Sequence, residues 1–175
     1  MATVLQITQL GHPLLRQQAQ PVSNVQDPLI QSLIDDLMAT VMSANGVGIA
    51  APQVAVAQRL FILASRPNPR YPHAPVMQPT AMINPSVTAH SDAIIKDWEG
   101  CLSIPGLRGL VPRYQAIEVE YTNRQGHQQK QVLTDFIARI FQHEYDHLEG
   151  IVFLDRLEST LDLMTEQEYQ RQIVS

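Results

Sequence analysis

Apolar positions along the chain follow two periods, one near 3.6 and one of 2. After Asp27-Pro28, Leu29, Leu33, Leu37 and Val41 recur every four residues with Ile34 and Met38 beside them. That spacing predicts an amphipathic helix, with proline in its first turn and Asn45-Gly46 after its end. Near the other terminus, Phe136, Ile140, His143 and His147 form a stripe, flanked by Ile137, Phe141 and Leu148. This second helix has Thr134 or Asp135 to cap its start and Gly150 to end it. Strands are predicted at Arg59–Leu63 and from Ala81. A hairpin is predicted where Ile117, Val119 and Tyr121 alternate with polar residues, turn at 123–126, and continue through Lys130, Val132 and Thr134 into the second helix. Residues 4–22 read as a short strand, one helical turn at Pro13 and an extended piece interrupted by Pro21, and five prolines between 65 and 79 mark a loop. The sum is an α+β fold: antiparallel β-sheets around a central helix, an N-terminal helix packed outside. One domain is expected over 1–175, with a polar tail after about 157 at its periphery.

The second helix carries the chemistry. His143-Glu144-Tyr145-Asp146-His147 is an H-E-x-x-H pattern. Residues four apart lie one turn apart on one face, so His143 and His147 can grip one ion, with Glu144 beside it to take a proton from bound water. The bland alternative is a pair of satisfied core histidines. An open catalytic site of this type needs a third protein ligand. Cys101, the chain's single cysteine, sits behind Gly100 and is either that ligand or an inert buried thiol. Gly46–Gln53 has a nearly bare backbone, which permits close approach of a ligand, and ends on an amide. A tight turn into the next strand is the competing reading. His73 and His90 stand in polar, loop-like surroundings and read as solvated.

Composition narrows the class. A net charge of −5 without a basic block argues against nucleic-acid binding. No run of eighteen apolar residues spans a membrane, and no secretory leader is recognisable at Met1–Gln6. One cysteine excludes an internal disulfide and suits a reducing, cytoplasmic compartment.

Three segments in order, Gly46-Val47-Gly48-Ile49-Ala50-Ala51-Pro52-Gln53, Glu99-Gly100-Cys101-Leu102-Ser103 and Gln142-His143-Glu144-Tyr145-Asp146-His147-Leu148-Glu149-Gly150, resemble the three motifs of peptide deformylase. The start, Gly11-His12-Pro13-Leu14-Leu15-Arg16, is similar too. The resemblance implies removal of the N-formyl group from formyl-methionine of nascent polypeptides, by metal-bound hydroxide with Glu144 as general base. It further implies Cys101, His143 and His147 as ligands of one divalent metal, Fe2+ before Zn2+, Ni2+ or Co2+. Gln53 and the Leu102 N–H would hold the oxyanion, and main chain near Val47, Gly48 and Gly100 would align the substrate. Glu99, Arg108 and Arg113 are placed around the site, with a structural ion pair to Glu99 as the alternative.

Arg139 departs from members with an apolar residue there; its stem is expected to pack while its head reaches water. The acidic tail lacks the charge for docking on ribosomal RNA. Two rivals remain: a zinc endopeptidase, whose metzincin third-histidine position is Phe153 here and whose carboxylate ligand would be Glu166 or Glu168, and a catalytically silent peptide-binding relative.

Overall fold

A computed structural model describes residues 2–174; Met1 and Ser175, the ends of the expected 1–175 domain, lie outside it. Two antiparallel sheets hold the chain together. The larger contains β1 (Gly48–Ala50), β2 (Leu60–Leu63), β3 (Thr80–His90), β6 (Ala116–Thr122) and β7 (Gln128–Thr134), in the order β1-β2-β3-β6-β7. The smaller contains β4 (Ile94–Cys101), β5 (Ile104–Tyr114) and β8 (Leu163–Thr165), in the order β4-β5-β8. The expected α+β architecture is therefore the observed one.

Strand β2 explains how the layers form. Its four residues are buried on both faces and alternate between two cores. Phe61 and Leu63 pack with Ala138, Phe141 and Leu148 of helix α2 (Asp135–Leu148), whereas Leu60 and Ile62 pack with Ile34, Leu37 and Val41 of helix α1 (Pro28–Ser43). Phe61 and Phe141 meet edge to face, with ring centroids 5.1 Å apart. The sheet is thus a partition with the metal-motif helix on one side and α1 on the other.

Helix α1 begins as the sequence indicates, the Asp27 side chain accepting the Leu29 N–H at 2.9 Å with Pro28 following. Its expected stripe is only half buried, for Leu29 is 78% exposed. Residues exactly four apart advance 400°, so two steps back from Leu37 rotate Leu29 about 80° off the buried line; Ile30, Leu33 and Ile34 face the core instead. At α2, Thr134 occupies the N-cap without a side-chain bond, and Gly150 closes the helix at φ +72°.

Other expectations need amendment. The short strand expected at the start of residues 4–22 joins no sheet; this stretch runs across the motif loops, Thr8 N–H donating to the Gln53 carbonyl and Leu10 N–H to that of Ser103, each at 2.8 Å. His90 ends β3 rather than lying in a loop, and stacks on Tyr114. The tail has an anchor that its composition does not advertise: Leu107, Arg108 and Gly109 of β5 pair with Thr165, Met164 and Leu163.

Candidate metal centre

Two elements bring the motif residues together. Helix α2 presents His143, Glu144 and His147; Cys101 arrives at the end of β4, on the other sheet. Cys101 Sγ lies 3.3 Å from His147 Nε2. One ligand atom from each of Cys101, His143 and His147 can be chosen so that all three lie within 4.8 Å of one another. A thiolate and two imidazoles bound tetrahedrally at about 2.0–2.3 Å would stand roughly 3.5 Å apart, so the cluster has the right size and donor chemistry for one divalent ion. All three side chains are nearly removed from water.

The electrostatics agree. Burial opposes ionisation of Cys101, but the adjoining His147 and His143 outweigh it and hold the thiol well below its usual range. His143 is likewise disfavoured as a cation by burial, yet Cys101 and Glu99 raise it well above the ordinary imidazole value. The site thus stabilises a thiolate facing a positive charge, the arrangement a metal satisfies in place of the proton.

Behind His143, the carboxylate of Glu99 accepts Nδ1–H at 2.9 Å, leaving Nε2 for a metal. Glu99 is 3% exposed and heavily compensated. Arg113 donates Nε and one terminal nitrogen to it at 2.9 and 3.0 Å, and Arg139 adds a third bond at 2.9 Å. Despite the opposing effect of burial, these partners keep its carboxyl far below the usual range. Arg113 also reaches Asp146 of α2 at 2.6 Å, and Arg156 closes on the same carboxylate. The Glu99–arginine ion pair anticipated from sequence exists, with Arg113 and Arg139. Arg108 is not part of it.

Arg139 is where the structure corrects the sequence most sharply. Its head does not reach water: the residue is 6% exposed, and its guanidinium donates to Glu99 and to the carbonyls of Val111 and Ile95, at 2.8 and 2.6 Å. The Glu99 carboxylate and the Ile95 and Val111 carbonyls offered it a better destination than solvent.

Glu144 lies beside the cluster. Burial pushes its carboxyl up to about 7 against the pull of both histidines, and its Oε2 has no partner among the described residues. Its Oε1 sits where Gly48 has no side chain; a Cβ there would fall 2.5 Å from that oxygen. Gln53 is buried opposite, its carbonyl end accepting the Ala50 N–H at 2.9 Å and its amide nitrogen directed at Ser103 Oγ (3.1 Å) and Cys101 Sγ (3.5 Å). Ser103 and Asp146 lie inside the quoted motifs, but residue type alone assigned them nothing.

A pocket opens in front of these groups, lined among others by Val47, Gly48, Gly100, Leu102, Tyr71 and Trp98. It is flanked by β1 and β4, each the outermost strand of its sheet. The Gly100 N–H is engaged by the Tyr71 hydroxyl at 3.2 Å. Glu166, the carboxylate a peptidase would have borrowed, instead binds Arg108 at 2.6 Å.

Comparison with known proteins places this arrangement. Residues 4–162 match the family model described as polypeptide deformylase. A protein of Nostoc sp. named peptide deformylase 2 is 68% identical over 95% of this chain and 93% of its own length; one of Shewanella oneidensis is 48% identical over 94% and 90%. Among solved structures, a class I type b peptide deformylase from Acinetobacter baumannii bound to Met-Ala-Ser superposes with a TM-score of 0.87 at 44% identity, covering 90% of this chain and all of that one. A Synechococcus elongatus peptide deformylase in complex with actinonin gives 0.80 at 36%, covering 93% and 84%. With a cysteine–histidine cluster suited to the metal on which such enzymes depend, the chain belongs to the peptide deformylase family, hydrolases that remove the formyl group from newly made polypeptides.

Proposed function

We propose that this chain, acting as one catalytic domain in the cytoplasm, hydrolyses the N-formyl group of formyl-methionine on nascent peptides, with Cys101, His143 and His147 holding one divalent metal. The observation that carries the reading is the meeting of a thiol and two imidazoles within 4.8 Å beside a buried carboxyl, one oxygen of which has no partner among the described residues. The family resemblance puts Fe2+ first, and a thiolate with two imidazoles equally accommodates Zn2+, Ni2+ or Co2+. When bound, the ion supplies Lewis-acid activation of water and of the formyl oxygen.

The chain's own groups do the rest. Glu144, buried beside the cluster with Oε1 against Gly48, accepts a proton from the attacking water and returns it to the departing amine as the C–N bond breaks and formate leaves. Gln53 Nε2 and the Leu102 N–H meet the negative charge that grows on the formyl oxygen. A peptide docks as an extra strand between the free edges at β1 and β4. Val47, Gly48 and Gly100 supply its main-chain partners, the Tyr71 hydroxyl giving way where the Gly100 N–H is needed. The histidines divide their labour: Glu99 fixes the tautomer of His143, while His147 faces the sulfur directly.

The test is formate release from a formyl-Met peptide, with metal analysis of protein purified without oxygen. About one ion per chain and formate release are expected. Glu144→Gln should keep the ion and lose turnover, and Cys101→Ala should lose both. A Cys101→Ala protein that retains metal and activity would overturn the ligand set.

A further inference from the structure

The family match ends at residue 162, yet residues after it pack against side chains that line the pocket. Five side chains from five parts of the chain form a continuous belt there. Phe136 of α2 packs on Tyr71 with ring centroids 5.4 Å apart; the Arg108 guanidinium lies 4.9 Å from the Tyr71 ring and 4.7 Å from that of Tyr169; Tyr169 packs at 5.6 Å on Trp98. Phe136, Tyr71 and Trp98 line the pocket. Tyr169 belongs to helix α3 (Glu166–Tyr169), directly after β8.

Arg108 is the hinge pin of this belt. It is fully buried, sandwiched between two tyrosines, and held by Glu166 through bonds of 2.6 and 3.1 Å. Its stem passes so close behind Gly100 that a Cβ on that residue would meet Arg108 Nε at 3.1 Å. Gly100 in turn donates to the Tyr71 hydroxyl. A buried cation placed this way keeps its position only while its carboxylate partner does, and that partner comes from the tail. The tail therefore backs the pocket lining in two places: through Arg108, which faces Tyr71 and lies against Gly100, and through Tyr169 directly on Trp98.

We infer that residues 163–174 buttress the lining of the substrate pocket from behind, with Glu166 and Tyr169 as positioning residues that set how tightly the formylated peptide is held. The inference rests on the deformylase reading and deepens it. Because neither residue touches the reacting atoms, their contribution is uniform between bound substrate and transition state, which appears in KM and not in kcat.

The experiment compares the metal-loaded enzyme with Glu166→Gln, Tyr169→Ala, Tyr169→Phe and a truncation after Asp162, using formyl-Met peptides of two and of several residues. Glu166→Gln and Tyr169→Ala should raise KM about fivefold to tenfold with kcat within about twofold, while Tyr169→Phe, which keeps the ring, stays near wild type. Trp98 is the only tryptophan, so its emission reports the belt directly and should shift in Tyr169→Ala. Point variants that are folded by circular dichroism but keep the wild-type KM overturn the inference, as does a loss confined to kcat or to melting temperature. They decide the matter even where the truncation fails to fold. Failure of the wild-type enzyme to release formate would instead overturn the deformylase reading, and this inference with it.

Discussion

Arg139 and His143, one turn apart on α2, take opposite oxygens of a single carboxylate, that of Glu99, each at 2.9 Å. The helix that brings two metal-binding candidates is thus fastened to the strand that brings the third. Arg139→Leu would keep apolar packing but remove one of the bonds to Glu99 and the guanidinium donors to the Ile95 and Val111 carbonyls. The expected result is a loss of metal affinity of about 10–100-fold, read by chelator competition. Arg139→Lys should recover part of it. Unchanged metal retention in Arg139→Leu would show that the fastening is structural only.

Gly48 is required for a reason other than backbone freedom. In Gly48→Ala the new methyl would stand 2.5 Å from Glu144 Oε1 and push the carboxyl aside. A displacement near 1 Å at a proton-transferring group costs about 100-fold in kcat. Metal content should stay at the wild-type level. Full activity in this variant would mean that Glu144 works from another position.

Removal of the Gln53 amide tests the oxyanion role. Gln53→Ala should raise the barrier by about 3 kcal/mol, a fall of roughly 100-fold or more in kcat. Substrate affinity should move far less. The kcat and KM of the folded variant separate the two.

Acid sensitivity follows from the tail. Burial works against ionisation of Glu166, but its bonds from Arg108 and Gln170 prevail and lower its carboxyl below the ordinary 4.5. A lowered folded value means stability that is complete above the ordinary carboxylate range and lost as pH falls through and below it. Wild type should therefore lose melting temperature more steeply than Glu166→Gln below about pH 5. Parallel curves would contradict the assignment.

Gly150→Ala addresses the fold. At φ +72°, with the Arg16 backbone 2.8 Å from the position of a Cβ, alanine meets both strain and a clash. A loss of about 2 kcal/mol or more is expected in urea unfolding, with the midpoint lowered and the slope kept.

How much of this could be read from residues alone varies with range. Helix α2 was legible because its cap region, its stripe and Gly150 are all local signals. The hairpin β6–β7 was legible for the same reason, through alternation around one turn. Strands β4 and β5 were not: Ile94 and Ile95 are exposed, and Gly100, Pro105, Gly106 and Pro112 interrupt any alternation. The destination of Arg139 depends on carbonyls some 28 to 44 positions away, to which no local pattern points. Tail docking hangs on a three-residue strand and one buried arginine, Arg108, whose type suggests a surface. Cys101 could be offered as a ligand only because the histidine pair lacked one; its proximity is a product of two sheets meeting.

An amide side chain normally has two interchangeable ends, and Gln53 has lost that freedom. The Ala50 N–H occupies its oxygen, so both of its protons are turned toward sulfur, hydroxyl and cavity. Exchange for glutamate would keep the shape and reverse the sign of what the cavity meets, setting a carboxylate against a thiolate. A single main-chain hydrogen thereby decides which polarity of guest this corner of the molecule will tolerate.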